Sequence, residues 1–246
     1  MLDAYIVVDL EMTGLKVKTD RILEIGAVKV IEHQVVDTYE ALVNPKMKIP
    51  NDVVQLTGIT NEMAKKGCNL EDAVLKLFTF CEDMTLVGHN ILFDYTFLKQ
   101  YAVNHHITLE KKAVDTLWLA RKFLPEAEKK TLDYLCEYLH IPRNQRHRAL
   151  DDARAEGVLL EILQKRFADQ YPEEFEPRPL QYKVKRQGSI TPRQKKQLKE
   201  LEEYHKIELP MELGSLSKNE ASRLANQIMG KYGRMLSGTS KHYHGG

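Results

Sequence analysis

The stretch Ala4-Tyr-Ile-Val-Val-Asp-Leu-Glu-Met-Thr-Gly14 constrains this chain more than any other. Residues of strand-forming character run straight into two carboxylates, Asp9 and Glu11, with only Leu10 between them. Positions two apart on a β-strand point to the same face. Asp9 and Glu11 therefore project side by side, while Val8 and Leu10 turn the other way, into a core. Like charges held together at the end of an apolar strand repel unless something neutralises them. Hard oxygen ligands of this kind suit a divalent cation such as Mg²⁺ or Mn²⁺. By itself an Asp-x-Glu pair reads more simply as two solvated acids on an edge strand, and the rest of the chain decides between the two.

At 246 residues the chain is long enough to bury a substantial core, as one large domain or one plus a small appendage. Its 43% hydrophobic and 29% charged residues are those of an ordinary soluble globular protein. A formal net charge of +1 carries no information about partners, so any nucleic-acid footprint must be local. Cys68, Cys81 and Cys136 are odd in number and lack a CxxC pair, which reads as free thiols in a reducing compartment. No apolar run approaches the roughly 20 residues of a membrane span, and no basic-plus-apolar signal segment precedes the first strand. The expected location is cytoplasmic, without a membrane partner.

Beyond Gly14, Ile22-Leu-Glu-Ile-Gly-Ala-Val-Lys-Val-Ile31 reads as a second strand in which Gly26 marks a bulge or a close backbone approach. Residues 34–43 read as a third strand, and the three together predict an antiparallel meander. Residues 50–66 read as short helical turns and 70–81 as an amphipathic helix. Short strands at 85–89 and 113–115 are each followed by a helix, from about Phe93 and from Thr116 respectively. Thr131 is a plausible N-cap for a helix to His140, and a long helix runs from Ala149 to about Gln170. This order predicts an α/β domain with a mixed five-stranded sheet flanked by helices. Trp118 is expected in the core, and Asp115 is weighed toward capping the Thr116 helix. Glu24 is divided between a core hydrogen bond and a supporting role behind the acids.

Two further acidic segments follow the first. His89-Asn90-Ile-Leu-Phe-Asp94 opens the middle helix, where the positive helix end stabilises a carboxylate. Phe93 and Phe97, four apart, read more readily as core than as base-stacking rings, and His89 alone as a satisfied structural histidine. Gln145-Arg-His-Arg-Ala-Leu-Asp-Asp-Ala153 opens the long helix. Asp152 faces inward if the small residues Ala149 and Ala153 pack on the sheet, which leaves Asp151 toward solvent. Arg143, Arg146 and Arg148 flank His147 and could steer backbone phosphates.

Asp-x-Glu-x-Thr-Gly on a first strand, His-Asn-x-x-Phe-Asp on a middle helix and His-x-Ala-x-x-Asp on a last helix together resemble the DEDDh exonucleases of the ribonuclease-H-like superfamily. That family includes the proofreading epsilon subunit of bacterial DNA polymerase III and ribonuclease T. The resemblance covers residues 1 to about 170, with echoes in Ile22-Leu-Glu-Ile-Gly-Ala-Val28 and Asp115-Thr-Leu-Trp-Leu-Ala-Arg121. It implies a ribonuclease-H-like fold in which Asp9, Glu11, Asp94 and Asp152 hold two divalent cations, Mg²⁺ or Mn²⁺, and His147 is the general base. It further implies that Leu10, Met12, Thr13, Gly14, Leu15, His89, Asn90 and Phe93 line the terminal nucleotide. The chemistry is consistent on its own terms. Two cations clamped by shared carboxylates serve phosphodiester hydrolysis, and a histidine, ordinarily titrating near neutrality, suits deprotonation of the attacking water.

Residues 171–188, with Pro172, Pro177, Pro179 and Gly188, read as a linker, and 189–236 as a small helical appendage. Thr191-Pro192 has an N-cap-then-proline arrangement and Ser217-Lys-Asn-Glu220 a capping box. Residues 237–246 read as a disordered tail. The expected activity is a 3′→5′ exonuclease on single-stranded DNA or DNA ends, in repair or proofreading. The alternatives are an exoribonuclease trimming RNA 3′ ends, or a subunit held in a DNA polymerase assembly.

Overall fold

A computed structural model describes residues 2–235, which divide into two compact units between residues 186 and 187; the expected tail at 237–246 lies outside the described residues. In the first unit β1 (Ala4–Met12), β2 (Ile22–Ile31) and β3 (Gln34–Leu42) form antiparallel pairs in sequence. Two short helices, α1 (Asn51–Thr57) and α2 (Asn61–Lys65), lead to α3 (Leu70–Cys81). Then β4 (Leu86–Gly88), α4 (Ile91–Asn104), β5 (Lys112–Asp115), α5 (Thr116–Phe123) and α6 (Leu132–Tyr138) precede the long α7 (Ala149–Phe167). β1 pairs with β4 and β4 with β5 in parallel.

The sheet has six strands where five were expected, in the order β3-β2-β1-β4-β5-β6. The sixth, β6 (Arg178–Pro179), pairs antiparallel with β5 and comes from the segment read as a linker. Proline confined to a sheet edge is permitted because no ladder N–H is needed there. Just before it the 3-10 turn Pro172–Phe175 buries Phe175 against Phe123, with ring centroids 5.7 Å apart. Proline-rich composition concealed an edge strand and its anchor.

β1 is covered on both faces. Ile6, Val8 and Leu10 meet α3 and α4 residues such as Leu77, Tyr95 and Leu98, as expected. Tyr5 and Val7, on the face of Asp9 and Glu11, lie in a second core with Ala153, Leu159 and Leu160 of α7. The carboxylates therefore continue a buried row beneath a helix and do not sit on an open edge.

Gly26 sets that helix in place. A Cβ there would lie 2.1 Å from the Ala149 carbonyl carbon and 2.3 Å from the Leu150 nitrogen, so the first turn of α7 rests on bare β2 backbone. Gly26 stands opposite Asp9 in the ladder. The close approach expected at this glycine is thus the contact that brings the start of α7 over the acids.

The second unit holds α8 (Pro192–His205) and α9 (Lys218–Tyr232), each opened by a capping box, Thr191 with Gln194 and Ser217 with Glu220. Its buried residues include Ile190, Leu198, Leu201, Ala221, Ala225 and Ile228. No helix among the described residues is long and apolar enough to cross a membrane.

Replacing Gly26 by valine forces α7 off its seat. The expected cost is about 3 kcal/mol or more, the upper range for overpacking a tight contact. Gly214→Ala, where nothing lies within 4 Å, should leave stability within about 0.5 kcal/mol. Urea unfolding of both variants measures the contrast, and equal midpoints would contradict it.

Candidate active site

Glu24, opposite Glu11 on β2, is fully buried and grips the start of α7. Its Oε2 accepts the Ala149 N–H at 2.9 Å, one of the donors a helix start leaves unpaired. Arg148 donates to the same carboxylate through Nε at 3.1 Å and Nη2 at 2.7 Å. Glu24 therefore anchors the helix that carries the third acidic segment.

Asp152, in the first turn of α7, is 5% exposed. Its Oδ2 accepts the His147 backbone N–H at 3.1 Å, and the loop before the helix turns through a left-handed His147 with φ 55°. Ligand atoms of Glu11, His147 and Asp152 all lie within 4.8 Å of one another. Asp94 reaches the same strand from α4, its Oδ1 accepting the Leu10 N–H at 3.1 Å. α4 begins at Ile91, two residues earlier than expected, because Asn90 adopts a left-handed φ of 72° that turns the chain directly into helix.

The electrostatics record the crowding. Burial, then the neighbouring Glu156, Asp94 and Glu11, push the Asp9 carboxyl well above the usual carboxylate range. Glu11 is pushed up to about 7, first by burial and then by Glu24 and Asp94, with Arg148 and Arg143 opposing. Asp94 also rises to about 7 through burial, against the hydrogen bonds from its own and the Leu10 N–H. Asp9 Oδ2 is buried with no hydrogen-bond partner among the described residues. An oxygen-rich cluster with an unpartnered carboxylate oxygen and one imidazole is a donor set that fits hard divalent cations.

Two residues at the site, Glu156 and Asp133, went unassigned in the sequence, and a third, Arg143, was read only as able to steer phosphates. Glu156 is 2% exposed, lies among the acids, and has an unpartnered Oε2. Its position one turn after Asp152 on the sheet-facing side was the available signal. Asp133, in the first turn of α6, lies 3.6 Å from His147 Nε2 and accepts from Arg143 Nη1. Arg143 donates through Nη2 to Asp152. The three arginines expected to face phosphates are thus each paired with carboxylates, Arg146 with Glu137 and Arg148 with Glu24.

The residues expected along a nucleotide divide. Leu15 is 79% exposed at the mouth of the β1–β2 turn, and Asn90 is exposed beside the start of α4. Thr13 is buried, its Oγ1 accepting the Arg21 N–H at 2.9 Å, and Gly14 is packed against the Asp20 carboxylate. Phe93 is half-buried, edge-on to Phe97 with centroids 5.6 Å apart, and Leu10 and Met12 line the core behind β1. His89 spends both ring nitrogens internally, on Thr116 Oγ1 at 3.0 Å and the Lys130 carbonyl at 2.6 Å. Asp115 caps α5 and also accepts the Asn90 N–H at 3.1 Å. Trp118 is 36% exposed, not core, with the Arg178 guanidinium 4.3 Å above its ring.

Fold and site together define a metal-dependent nuclease. Residues 6–160 match the family described as exonuclease. The chain belongs to that exonuclease family, and it shares its fold with a DEDDh family member. It is 35% identical over 168 residues to the PolC-type DNA polymerase III of Clostridium perfringens, and 38% identical over 170 residues to that of Oceanobacillus iheyensis. Both matches cover 68% of this chain but only 12% of the polymerase. Among solved structures, the nuclease domain of 3′hExo, a DEDDh family member bound to rAMP, superposes with a TM-score of 0.60 at 17% identity, over 74% of this chain and 98% of that one. Exonuclease X in complex with 5′ overhanging duplex DNA superposes with a TM-score of 0.56 at 22% identity, over 70% and 96%.

Glu11 and Asp94, ordinarily near 4.5 and 3.8, titrate near 7 in the folded chain, so between those values the folded state holds protons that the unfolded state has released. Their contribution to stability is complete below about pH 4 and is lost as pH rises through 7. In a chelating buffer, wild type should lose thermal stability between pH 5 and pH 8 relative to a Glu11→Gln/Asp94→Asn variant, and Mg²⁺ should reverse the loss. Calorimetry showing a pH-independent difference would exclude this linkage.

Proposed function

We propose that this chain is a two-metal-dependent 3′→5′ exonuclease that hydrolyses single-stranded DNA or DNA ends to nucleoside monophosphates, in repair or proofreading. The observation that carries the reading is the convergence of Glu11, Asp152 and His147 within 4.8 Å, drawn from segments more than 130 residues apart. Asp94, tied to Leu10 of the same strand, and the unpartnered Asp9 oxygen complete a four-carboxylate set.

In this reading Asp9, Glu11, Asp94 and Asp152 hold two divalent cations, Mg²⁺ or Mn²⁺. When bound, the cations neutralise phosphoryl charge and stabilise the leaving alkoxide. His147 takes the proton of the attacking water, and Asp133, 3.6 Å from its Nε2, stabilises the protonated ring. Its side chain is 34% exposed, so water and substrate reach it. Thr13, Gly14 and Leu15 from the β1–β2 turn, with Asn90 and Phe93 from the start of α4, flank the terminal nucleotide, and Leu10 and Met12 shape the strand beneath it. His89 serves there as scaffold, holding the α5 start and the Lys130 carbonyl. Residues 1–170 act as the exonuclease domain, with the helical unit beyond residue 188 extending the nucleic-acid path or binding a partner.

Two related readings have specific support. The similarity to a nuclease domain bound to rAMP favours RNA 3′ ends as substrate. The similarity to PolC-type polymerases favours proofreading in a polymerase assembly. Matched end-labelled DNA and RNA oligonucleotides with Mg²⁺ or Mn²⁺ separate them. His147→Ala should lose roughly a hundredfold or more in turnover while retaining metal binding, as expected for removal of a general base. Asp9→Ala should lose both. Full turnover in either variant refutes the assignment.

A further inference from the structure

Arg143 is the one cation buried at the acidic cluster among the described residues whose guanidinium reaches a proposed metal ligand. Its side chain is 6% exposed, with Nη2 donating to Asp152 Oδ1 and Nη1 to Asp133 Oδ1. Its Nε is buried with no acceptor among the described residues. Burying a guanidinium with an unused N–H is costly unless nearby negative charge offsets it. Here the offset is large, since Asp9, Glu11 and Glu156 lie in its field and Asp152 in its grasp.

We infer that Arg143 is a built-in counter-ion of the nuclease site. It holds the carboxylates together while no divalent cation is bound, and a cation must displace it from Asp152 to bind fully. The inference rests on the two-metal reading above. Its physical basis is that the Asp152 carboxylate would serve two positive centres, with Oδ1 already held by Arg143 and Oδ2 by the His147 N–H. A guanidinium and a divalent ion on one carboxylate would repel each other at close range, where screening is weakest.

Asp133 gives the displaced guanidinium somewhere to go. It already accepts from Nη1, it is 32% exposed, and it neighbours His147 Nε2 at 3.6 Å. Loss of the Asp152 contact leaves Arg143 wholly on Asp133, so that cation binding also alters the charge facing the imidazole. Arg143 is in this sense a positioning residue, acting on metal affinity and through Asp133 on His147.

Calorimetric titration of Mn²⁺ into the full chain tests the competition by its sign. Arg143→Gln should bind Mn²⁺ about fivefold or more tightly than wild type, the lower range of coupling between sites, while its metal-free melting temperature falls. Arg143→Lys should stay near the wild-type affinity, since it retains the charge. Unchanged or weaker binding by Arg143→Gln overturns the inference, because Arg143 would then support Asp152 in the loaded site. If Arg143→Gln does not fold, nitrogen-15 spectra of wild type decide. The Arg143 Nε–H resonance should shift as Mg²⁺ is added, and a resonance that stays fixed while the cation binds overturns the inference alone. Absence of metal binding in wild type overturns both it and the two-metal reading.

Discussion

Repulsion among buried carboxylates is the constraint around which this domain is arranged. Asp9, Glu11, Asp94, Asp152 and Glu156 reach one end of β1 from three separate parts of the chain. Apolar burial along Tyr5, Val7, Ala153, Leu159 and Leu160 drives α7 onto the sheet and carries its two acids with it. Hydrophobic packing of this extent, at roughly 25 cal/mol per Å², can hold charge where charge would not go by itself. Burial pushes Glu11 and Asp94 up to about 7, and the guanidinium of Arg143 is buried among the acids. Carboxylates buried this closely repel one another, so the seat of α7 has to be correspondingly firm.

That seat explains which parts of the arrangement were legible in the sequence. The alternation of β1, the paired acids two apart, and the small residues Ala149 and Ala153 are local patterns with one physical reading each. They placed Asp9, Glu11 and Asp152 on the correct faces. Gly26 announced a close approach without saying to what. The partner is the Ala149 carbonyl, more than 120 residues distant, which no local pattern encodes. Glu24 was ambiguous for the same reason. Its role depends on the α7 N-terminus arriving beside it, and once there it both satisfies a helix-start donor and pairs with Arg148.

The misses share a cause. Composition gives the behaviour of an isolated segment, and several segments here are decided by what they meet. Residues 171–188 looked like a linker because of their prolines, yet Phe123 offers a surface for Phe175 and β5 offers an unpaired edge. Trp118 looked like core, but α5 turns it toward Arg178 of the same late segment. Arg143 looked like one of three arginines that could steer phosphates, and Glu156 was not singled out. Both turned inward because the acids they accompany, or offset, are inward.

Competing magnitudes explain why the site needs its cation at all. Asp94 and Asp152 each sit in the first turn of a helix, where the positive helix end favours a carboxylate by about 0.5–2 kcal/mol. Asp94 nevertheless moves from 3.8 to about 7, which corresponds to on the order of 4 kcal/mol against its charged form. Burial outweighs the helix end together with the Leu10 N–H. The neutral dipoles that reach Asp94, at its own helix start and from the Leu10 N–H, do not close that gap. Only full positive charge does, and Arg143 supplies one such charge to Asp152 while leaving Asp9 Oδ2 unpartnered. The fold thus creates an excess of negative charge larger than its own side chains neutralise, and the remainder is what gives such a site its appetite for divalent ions and, through them, for phosphate.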